Sequence, residues 1–193
     1  MAEVVLFHHI QGLTDGVREF ADRLRSAGHT VHTPDLFDGA RTATIEEGLS
    51  LSQRIGDETL DRRAAEAVDG LPAGVVFAGI SFGVMRAQPY AQTRPGARGA
   101  LFYEACLPIS GEWAIGPWPA GVPAQVHGME KDPFFGLEGD LDAAQELVEA
   151  GHGELFVYPG DRHLFTDSSL PSYDAEATEL VVERSLRFLA ALS

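Results

Sequence analysis

The sequence predicts a three-layer α/β domain in which helices cover both faces of a doubly wound, mainly parallel sheet of about six strands. Short apolar runs alternate with helical patterns along the chain, as expected for strands joined by crossover helices. Several runs are apolar at every position, which is typical of strands buried on both faces. The length of 193 residues fits a single domain over residues 1–193, without a separate lid domain.

The first predicted elements are a strand, a helix and a second strand. Residues 4–7 read Val-Val-Leu-Phe and predict a buried strand. Apolar residues then recur every three or four positions, so we expect a helix that is capped by Thr14 or Asp15 and ends at Gly28. The short β-branched segment 30–33 predicts the second strand. Because a helix connects the two strands, they should run parallel.

Residues 37–56 have only weak periodicity and are rich in Gly, Thr, Ser and charged residues. We interpret them as an irregular excursion over the carboxyl edge of the sheet, with one helical turn near residues 45–49. A better helix is predicted at residues 57–68, where the apolar residues share one side. The apolar run 75–77 then predicts a strand, and residues 81–92 a helix.

The second half of the chain continues the alternation. Strands are predicted at residues 100–103, 123–127 and 154–158, and helices at about 140–150 and 175–192. The loop 108–123 carries Trp113 and Trp118, which either line a pocket or seal the edge of the core.

The chain is strongly acidic, with 29 Asp and Glu against 14 Lys and Arg and a formal net charge of −15. Such a surface repels nucleic-acid backbones and anionic lipid, so neither nucleic acid nor a membrane is an expected partner. No basic leader precedes the first strand, and no apolar run is long enough to span a bilayer, so we expect a cytoplasmic protein. The oligomeric state stays open, with a homodimer as one possibility.

The strand at 75–77 leads into Gly79-Ile80-Ser81-Phe82-Gly83, a G-x-S-x-G pattern. In a nucleophile elbow, a serine sits on a strained turn between a strand and a helix, and the flanking glycines let these elements approach closely. Because a strand precedes Ser81 and a helix follows it, we predict that Ser81 is a nucleophile.

Two further side chains follow the last two predicted strands, Asp132 and His163. The carboxyl ends of parallel strands meet at one edge of the sheet, where such folds bind ligands. A serine needs an imidazole to accept its proton, and the imidazole needs a carboxylate to fix its tautomer. The order Ser, Asp, His is that of α/β-hydrolases. Glu130 competes for the acid role, but Asp132 lies further into the loop and is preferred.

Five segments resemble the dienelactone hydrolase family of α/β-hydrolases. They are Phe7-His8-His9-Ile10-Gln11-Gly12, Thr33-Pro34-Asp35-Leu36-Phe37, Gly79-Ile80-Ser81-Phe82-Gly83, His127-Gly128-Met129-Glu130-Lys131-Asp132-Pro133-Phe134 and Tyr158-Pro159-Gly160-Asp161-Arg162-His163-Leu164-Phe165. The similarity covers nearly the whole chain. It implies a hydrolase of lactones and other carboxylic esters that needs no metal or cofactor. It also implies that the backbone N–H groups of Ile10 and Phe82 form the oxyanion hole.

Three positions depart from the best-known family members. Ser81 stands where those members have cysteine, and His9 stands where they have glutamate. Those members also have an arginine that holds the substrate carboxylate, and it would fall near Asp167, which has the opposite charge. Dienelactone itself is therefore not the expected substrate. The role of His9 stays open between contacting or orienting the substrate and supporting the structure.

The candidates for a substrate pocket are His9, Phe37, Tyr103, Phe134 and Phe165. Cys106 is the only cysteine, which excludes an intramolecular disulfide, and without an elbow it is expected to be a small buried residue. The histidines lack metal-binding spacings, so we expect no metal site.

These observations favour a serine hydrolase of small carboxylic esters or lactones, acting through Ser81, His163 and Asp132 and an acyl-enzyme. Two alternatives remain. The same triad could transfer the acyl group to an acceptor other than water, or the chain could be a ligand-binding or sensor protein with a weak or silent triad.

Overall fold

The computed structural model describes residues 1–192, so Ser193, at the end of the predicted domain, lies outside the described residues. Within them, six strands form one sheet: β1 (Glu3–Phe7), β2 (Thr30–His32), β3 (Val75–Ile80), β4 (Gly99–Tyr103), β5 (Ala124–Met129) and β6 (Gly153–Tyr158). Their spatial order is β2-β1-β3-β4-β5-β6, and every neighbouring pair is parallel. The predicted α/β architecture is confirmed, and the described sheet is wholly parallel.

The helices that cover this sheet are α1 (Asp15–Ser26), α2 (Ile45–Ile55), α3 (Asp57–Val68), α4 (Val84–Thr93), α5 (Asp140–Glu149) and α6 (Ala175–Ala191). A 3₁₀ turn, Ser81–Gly83, joins β3 to α4. Thr14 rather than Asp15 caps α1, because its hydroxyl accepts a hydrogen bond from the Val17 N–H at 3.1 Å.

The side chains of β1 alternate between two hydrophobic cores, one on each face of the sheet. Val4 and Leu6 pack with α1 and α6, whereas Val5 and Phe7 pack with α3, α4 and α5. All four side chains are fully buried. Burial of each contributes about 1.5–3 kcal/mol, so the two cores hold the strands and their carboxyl ends in fixed positions.

The chain reverses its direction across the sheet between β1 and β3. From β1 it moves outward to β2, and it then returns to build β3 on the other side of β1. Such a reversal leaves a crevice at the carboxyl ends of β1 and β3, where open α/β sheets bind ligands. Ser81 follows β3 directly, and Ile10 lies in the loop after β1.

The structure corrects the prediction for residues 37–56, where we expected one helical turn and find the full helix α2. The Thr44 hydroxyl accepts the Glu47 N–H at 3.2 Å, and the Glu47 carboxylate accepts the Ala43 N–H at 2.9 Å. Gly48 is the only described residue of α2 that is fully buried. Ile45, Leu51 and Ile55 pack against the core but are only partly buried. The prediction was too short because the Gly, Ser and charged residues between these apolar positions are also typical of irregular chain.

The two tryptophans of the long loop differ in their surroundings. The ring of Trp118 is buried against Phe102, with ring centroids 6.0 Å apart, and its indole N–H donates to the Val122 carbonyl at 2.6 Å. Trp113 is 83% exposed. Trp118 thus seals the edge of the core, which was one of the two interpretations from sequence. Among the described residues, no helix has the length and apolar character needed to cross a bilayer.

Candidate active site

Ser81 occupies a strained backbone conformation at the carboxyl end of β3. Its φ is +48°, in the left-handed region that residues with a Cβ seldom adopt. A Cβ on Gly79 would meet the backbone of Gly83 and Val84, and a Cβ on Gly83 would meet the backbone of Phe7. Both glycines are therefore needed for the close approach of β1, β3 and the turn, and this packing holds Ser81 in its conformation.

The structure brings Ser81, His163 and Asp132 together in a chain of hydrogen bonds. The Ser81 Oγ lies 2.7 Å from His163 Nε2, and His163 Nδ1 lies 2.7 Å from Asp132 Oδ2. Asp132 is fully buried, and its other oxygen accepts the Phe134 N–H at 2.9 Å. The competitor Glu130 is exposed, and its carboxylate lies 3.6 Å from the Lys131 ammonium.

The two hydrogen bonds assign the tautomer of His163. A carboxylate only accepts hydrogen bonds, so Nδ1–H donates to Asp132 and Nε2 is left to accept the Ser81 hydroxyl proton. Burial alone would lower the pKa of His163, but the hydrogen bond to Asp132 and the charge of Glu104 raise it. The charges of Asp132 and Asp140 add to this effect, so the net pKa of the imidazole lies above its ordinary value.

A cavity of about 250 Å³ opens directly beside Ser81. Its lining comprises Ile10, Ile45, Leu49, Ser81, Phe82, Met85, Glu104, Ala105, Leu107, Phe134, Glu138, Asp140 and His163. Two of these residues, Ile45 and Leu49, belong to the first turn of α2, so the helix that was predicted there as a single turn forms one wall.

Among the predicted pocket residues, the structure places Phe134 in the cavity lining, with its ring centroid 4.6 Å from that of His163. His9, Phe37, Tyr103 and Phe165 are buried outside that lining. The Tyr103 hydroxyl, for example, lies 2.9 Å from the Ser185 hydroxyl of α6. Side chains at the end of a strand alternate between the two faces of the sheet, and position in the sequence alone does not tell which of them reach the cavity.

His9 supports the loop after β1 instead of contacting the cavity. Its Nε2–H donates to the buried Asp167 carboxylate at 2.7 Å, and its Nδ1 accepts the Gln11 N–H at 3.2 Å. Asp167 also accepts hydrogen bonds from the Thr14 and Ser169 hydroxyls. His9 and Asp167 thus connect the loop that carries Ile10 to the segment that follows His163.

The Ile10 loop is also packed against α2. A Cβ on Gly48 would meet the carbonyl group of Ile10, so the glycine allows helix and loop to lie in contact. His8 adds a third connection, because its ring lies 2.7 Å from the His9 carbonyl oxygen and accepts the Leu36 N–H at 3.0 Å. Burial lowers the pKa of His8 to about 4, so it stays neutral at pH 7.

Glu104 is a residue of the site that sequence reasoning missed. It follows β4 with a φ of +64°, is only 1% exposed and lines the cavity. Its Oε1 accepts the Thr166 N–H and hydroxyl at 3.2 and 3.0 Å. Burial, together with the nearby Asp132 charge, raises the pKa of Glu104 to about 7. Its position in the sequence could have identified it, because Glu104 directly follows a strand, and Asp132 was predicted as a site residue on the same ground.

Metal-ligating side chains do not converge in the described part of the chain: no group of three or more His, Cys, Asp or Glu there could hold a metal ion. His127 lies with its ring nitrogens 2.9 Å from the Tyr158 hydroxyl and the Gln125 amide oxygen. Burial lowers the pKa of His127 to about 3. Cys106 is buried outside the cavity lining, and burial raises the pKa of its thiol.

The parallel sheet, the turn at Ser81 and the two strand-end side chains beside it define the α/β hydrolase class. A sequence model of the dienelactone hydrolase family matches residues 1–193. The chain belongs to this family, and the resemblance inferred from its motifs is confirmed. No curated protein sequence matches the chain significantly.

Solved structures share the fold at low sequence identity. A dienelactone hydrolase-like promiscuous phosphotriesterase from metagenomic libraries is 21% identical, with a TM-score of 0.78 over 100% of this chain and 87% of that one. An α/β hydrolase from a Medee basin deep-sea metagenome library is 14% identical, with a TM-score of 0.62 over 99% and 84%. A propionate-bound esterase from Thermogutta terrifontis is 16% identical, with a TM-score of 0.61 over 100% and 84%.

Proposed function

We propose that this hydrolase cleaves small carboxylic esters or lactones, with Ser81 as nucleophile, His163 as general base and acid, and Asp132 as the carboxylate that orients His163. The observation that carries the proposal is the hydrogen-bonded chain from Ser81 Oγ through the imidazole to the buried Asp132, at 2.7 Å in both steps. This geometry suits proton transfer, which requires heavy atoms about 2.6–3.2 Å apart.

In the first half of the reaction, Ser81 Oγ attacks the ester carbonyl while His163 Nε2 takes its proton. The resulting imidazolium is stabilised by the buried Asp132 carboxylate. His163 then gives the proton to the leaving alcohol, and the acyl group stays on Ser81. Removing the proton makes the weakly nucleophilic hydroxyl reactive at neutral pH.

In the tetrahedral intermediate, the former carbonyl oxygen carries a negative charge. We assign its stabilisation to hydrogen bonds from the backbone N–H groups of Ile10 and Phe82. Both residues line the cavity beside Ser81. The hydrogen bonds of His8 and His9 and the contact with Gly48 fix the Ile10 loop before substrate arrives. Such preorganised donors are worth about 10²–10³-fold in rate each.

In the second half, water attacks the acyl-enzyme with His163 again as base, and the carboxylic acid leaves. The cavity of about 250 Å³ favours small substrates, because pockets for drug-sized ligands occupy about 300–1,000 Å³. Its apolar residues, such as Leu49, Met85 and Phe134, suit a short carbon chain. The similar Thermogutta terrifontis esterase was solved with propionate bound, a carboxylate with a short carbon chain of this kind.

Replacing Ser81 with alanine tests the proposal on a panel of short- and medium-chain esters and lactones. We expect Ser81→Ala to lower kcat by roughly four to six powers of ten, because the members of a triad act as a unit. Ser110→Ala, an exposed serine in the loop between β4 and β5, is the matched control and should keep full activity. Full esterase activity in Ser81→Ala would contradict the proposal.

A further inference from the structure

The Glu104 carboxyl is only half satisfied within the protein. Oε1 accepts two hydrogen bonds from Thr166, whereas the buried Oε2 has no hydrogen-bond partner among the described residues. The side chain is only 1% exposed, and it lines the same cavity as Ser81 and His163. A buried carboxyl oxygen without a partner is costly, so a ligand that supplies a donor to it gains binding energy.

The charges around this oxygen indicate what kind of donor it would take. Two more acidic side chains, Asp140 and Glu138, line the cavity, and its lining contains neither lysine nor arginine. The three carboxyls are not arranged as a metal site in the described part of the chain. Above about pH 7, Glu104 carries a negative charge even though burial raises its pKa to about 7, and this charge and those of the neighbouring carboxylates favour an organic cation and repel an anion.

Asp140 and Glu138 have different roles in this wall. Asp140 is partly buried and accepts the Cys106 N–H at 3.1 Å, so one of its oxygens is already engaged. Glu138 is exposed at the rim of the cavity. Glu104 is thus the carboxyl of the three that has a buried oxygen without a partner, and it lines the same cavity as Ser81.

We propose that Glu104 is a specificity residue that accepts a hydrogen bond from an ammonium group on the substrate. The inference rests on the proposed ester hydrolysis and names its substrate class: amino-substituted esters, in preference to neutral esters of the same shape and against esters that carry a carboxylate. The hydrogen bond to a charged donor, made in a site shielded from water, supplies the preference.

The test compares esters that differ only at the end of the chain. Methyl 6-aminohexanoate, methyl heptanoate and monomethyl pimelate carry an ammonium, a methyl and a carboxylate group on chains of equal length. Shorter and longer sets, and a parallel series with the ammonium on the alcohol, cover the unknown distance to Ser81. Methyl ω-hydroxyalkanoates separate hydrogen bonding from charge. Acid products are measured directly, so that lactam formation does not count as turnover.

At the best chain length, we expect kcat/KM for the ammonium ester to exceed that of its alkyl isostere by roughly 10–100-fold, with the carboxylate ester slowest. In Glu104→Gln the ammonium-to-alkyl ratio should fall about tenfold or more. Glu138→Gln at the exposed rim should lower it less than about fivefold. Glu149→Gln, an exposed glutamate of α5 outside the cavity, is the matched control and should leave both rates unchanged.

The preference is first measured on the unaltered enzyme, so the test does not depend on the stability of Glu104→Gln. Calorimetric binding of the same esters to Ser81→Ala gives a second readout without turnover. If alkyl esters are cleaved but no ammonium ester is preferred in rate or binding, the inference is wrong while the proposed function stands. Equal preference for hydroxy esters overturns the ammonium assignment. Absence of Ser81-dependent hydrolysis of every ester overturns both.

Discussion

The His163 imidazole determines the pH range in which the Ser81 hydroxyl can be activated. Only the neutral ring can accept the serine proton, and Nε2 is the free acceptor because Nδ1–H is bound to Asp132. Its pKa reflects opposing effects, since burial disfavours the charged ring while Asp132, Glu104 and Asp140 favour it. The net effect raises the pKa of His163, so the ring stays protonated to a higher pH than a free histidine.

The pH dependence of turnover follows from this balance. We expect kcat/KM on a neutral ester to rise with pH and to reach its plateau above an apparent pKa that exceeds the ordinary histidine value of 6.5. Glu104→Gln should move the midpoint to lower pH, because it removes a negative charge near the ring. Glu149→Gln should leave the midpoint in place. A midpoint below 6.5 in the unaltered enzyme would show that desolvation prevails.

At the scale of secondary-structure elements, three connections hold the loop that carries Ile10. The His8 ring links it to Leu36, the His9 ring links it to Asp167, and α2 packs against it through Gly48. Each connection fixes the backbone next to the candidate oxyanion donor without touching the cavity contents. Changes at these positions should therefore alter turnover through geometry.

Gly48→Ala tests the contact between α2 and the loop. Alanine is the better helix former by about 1 kcal/mol, so helix propensity alone predicts a more stable enzyme. Its Cβ would, however, meet the Ile10 carbonyl group. We expect the overlap to displace Ile10 and to lower kcat by about 10–100-fold. Ser50→Ala, an exposed site of the same helix, should keep wild-type kcat. Unchanged kcat in Gly48→Ala would mean that α2 does not set the loop position.

The connection between His9 and Asp167 predicts a pH-dependent stability. Burial would raise the pKa of Asp167, but its hydrogen bonds from His9, Ser169 and Thr14 lower the pKa from 3.8 to about 2. A carboxyl whose pKa is lowered on folding stabilises the protein above its unfolded pKa, and this stability is lost as the pH falls through its folded pKa. The shift corresponds to about 2 kcal/mol.

Asp167→Asn should therefore lower the free energy of unfolding by about 2 kcal/mol at pH 7, and by progressively less as the pH approaches 2. Urea denaturation at pH 7, 4 and 2.5 measures this difference. Asp69→Asn, an exposed aspartate at the end of α3, should behave like the unaltered protein. A destabilisation by Asp167→Asn of equal size at pH 7 and pH 2.5 would be inconsistent with an ionised Asp167 in this network.

At the scale of the whole molecule, the sheet could be predicted because its strands carry their own signal. The all-apolar run of β3 and the helical spacing of α1 and α6 are local patterns, and chain order then fixes which residues meet at the carboxyl edge. The positions of Ser81, Asp132 and His163 could be read in this way. Only the first turn of helix α2 was predicted, because Gly, Ser and charged residues separate its apolar residues, which are only partly buried in the structure.

The cavity was harder to predict than the strand ends that surround it. Phe37, Tyr103 and Phe165 lie near the edge as expected, but the pleat and the turns direct their side chains into the cores. Glu104 went unnoticed because no motif contains it, and its meaning comes from a missing partner that only three-dimensional packing reveals. The backbone conformation at the strand ends decides which side chains line the cavity. The sequence alone therefore does not identify the substrate.

The central claim, that Ser81 is the nucleophile of a hydrolase, is tested most directly by covalent labelling. A fluorophosphonate probe should add to the folded protein once, and peptide mass spectrometry should locate the adduct on the segment that contains Ser81. Ser81→Ala should remain unlabelled, and the unaltered protein should lose labelling after denaturation, since reactivity requires the hydrogen bond to His163. Absence of an adduct in the folded protein, or an adduct on another residue, would contradict the claim.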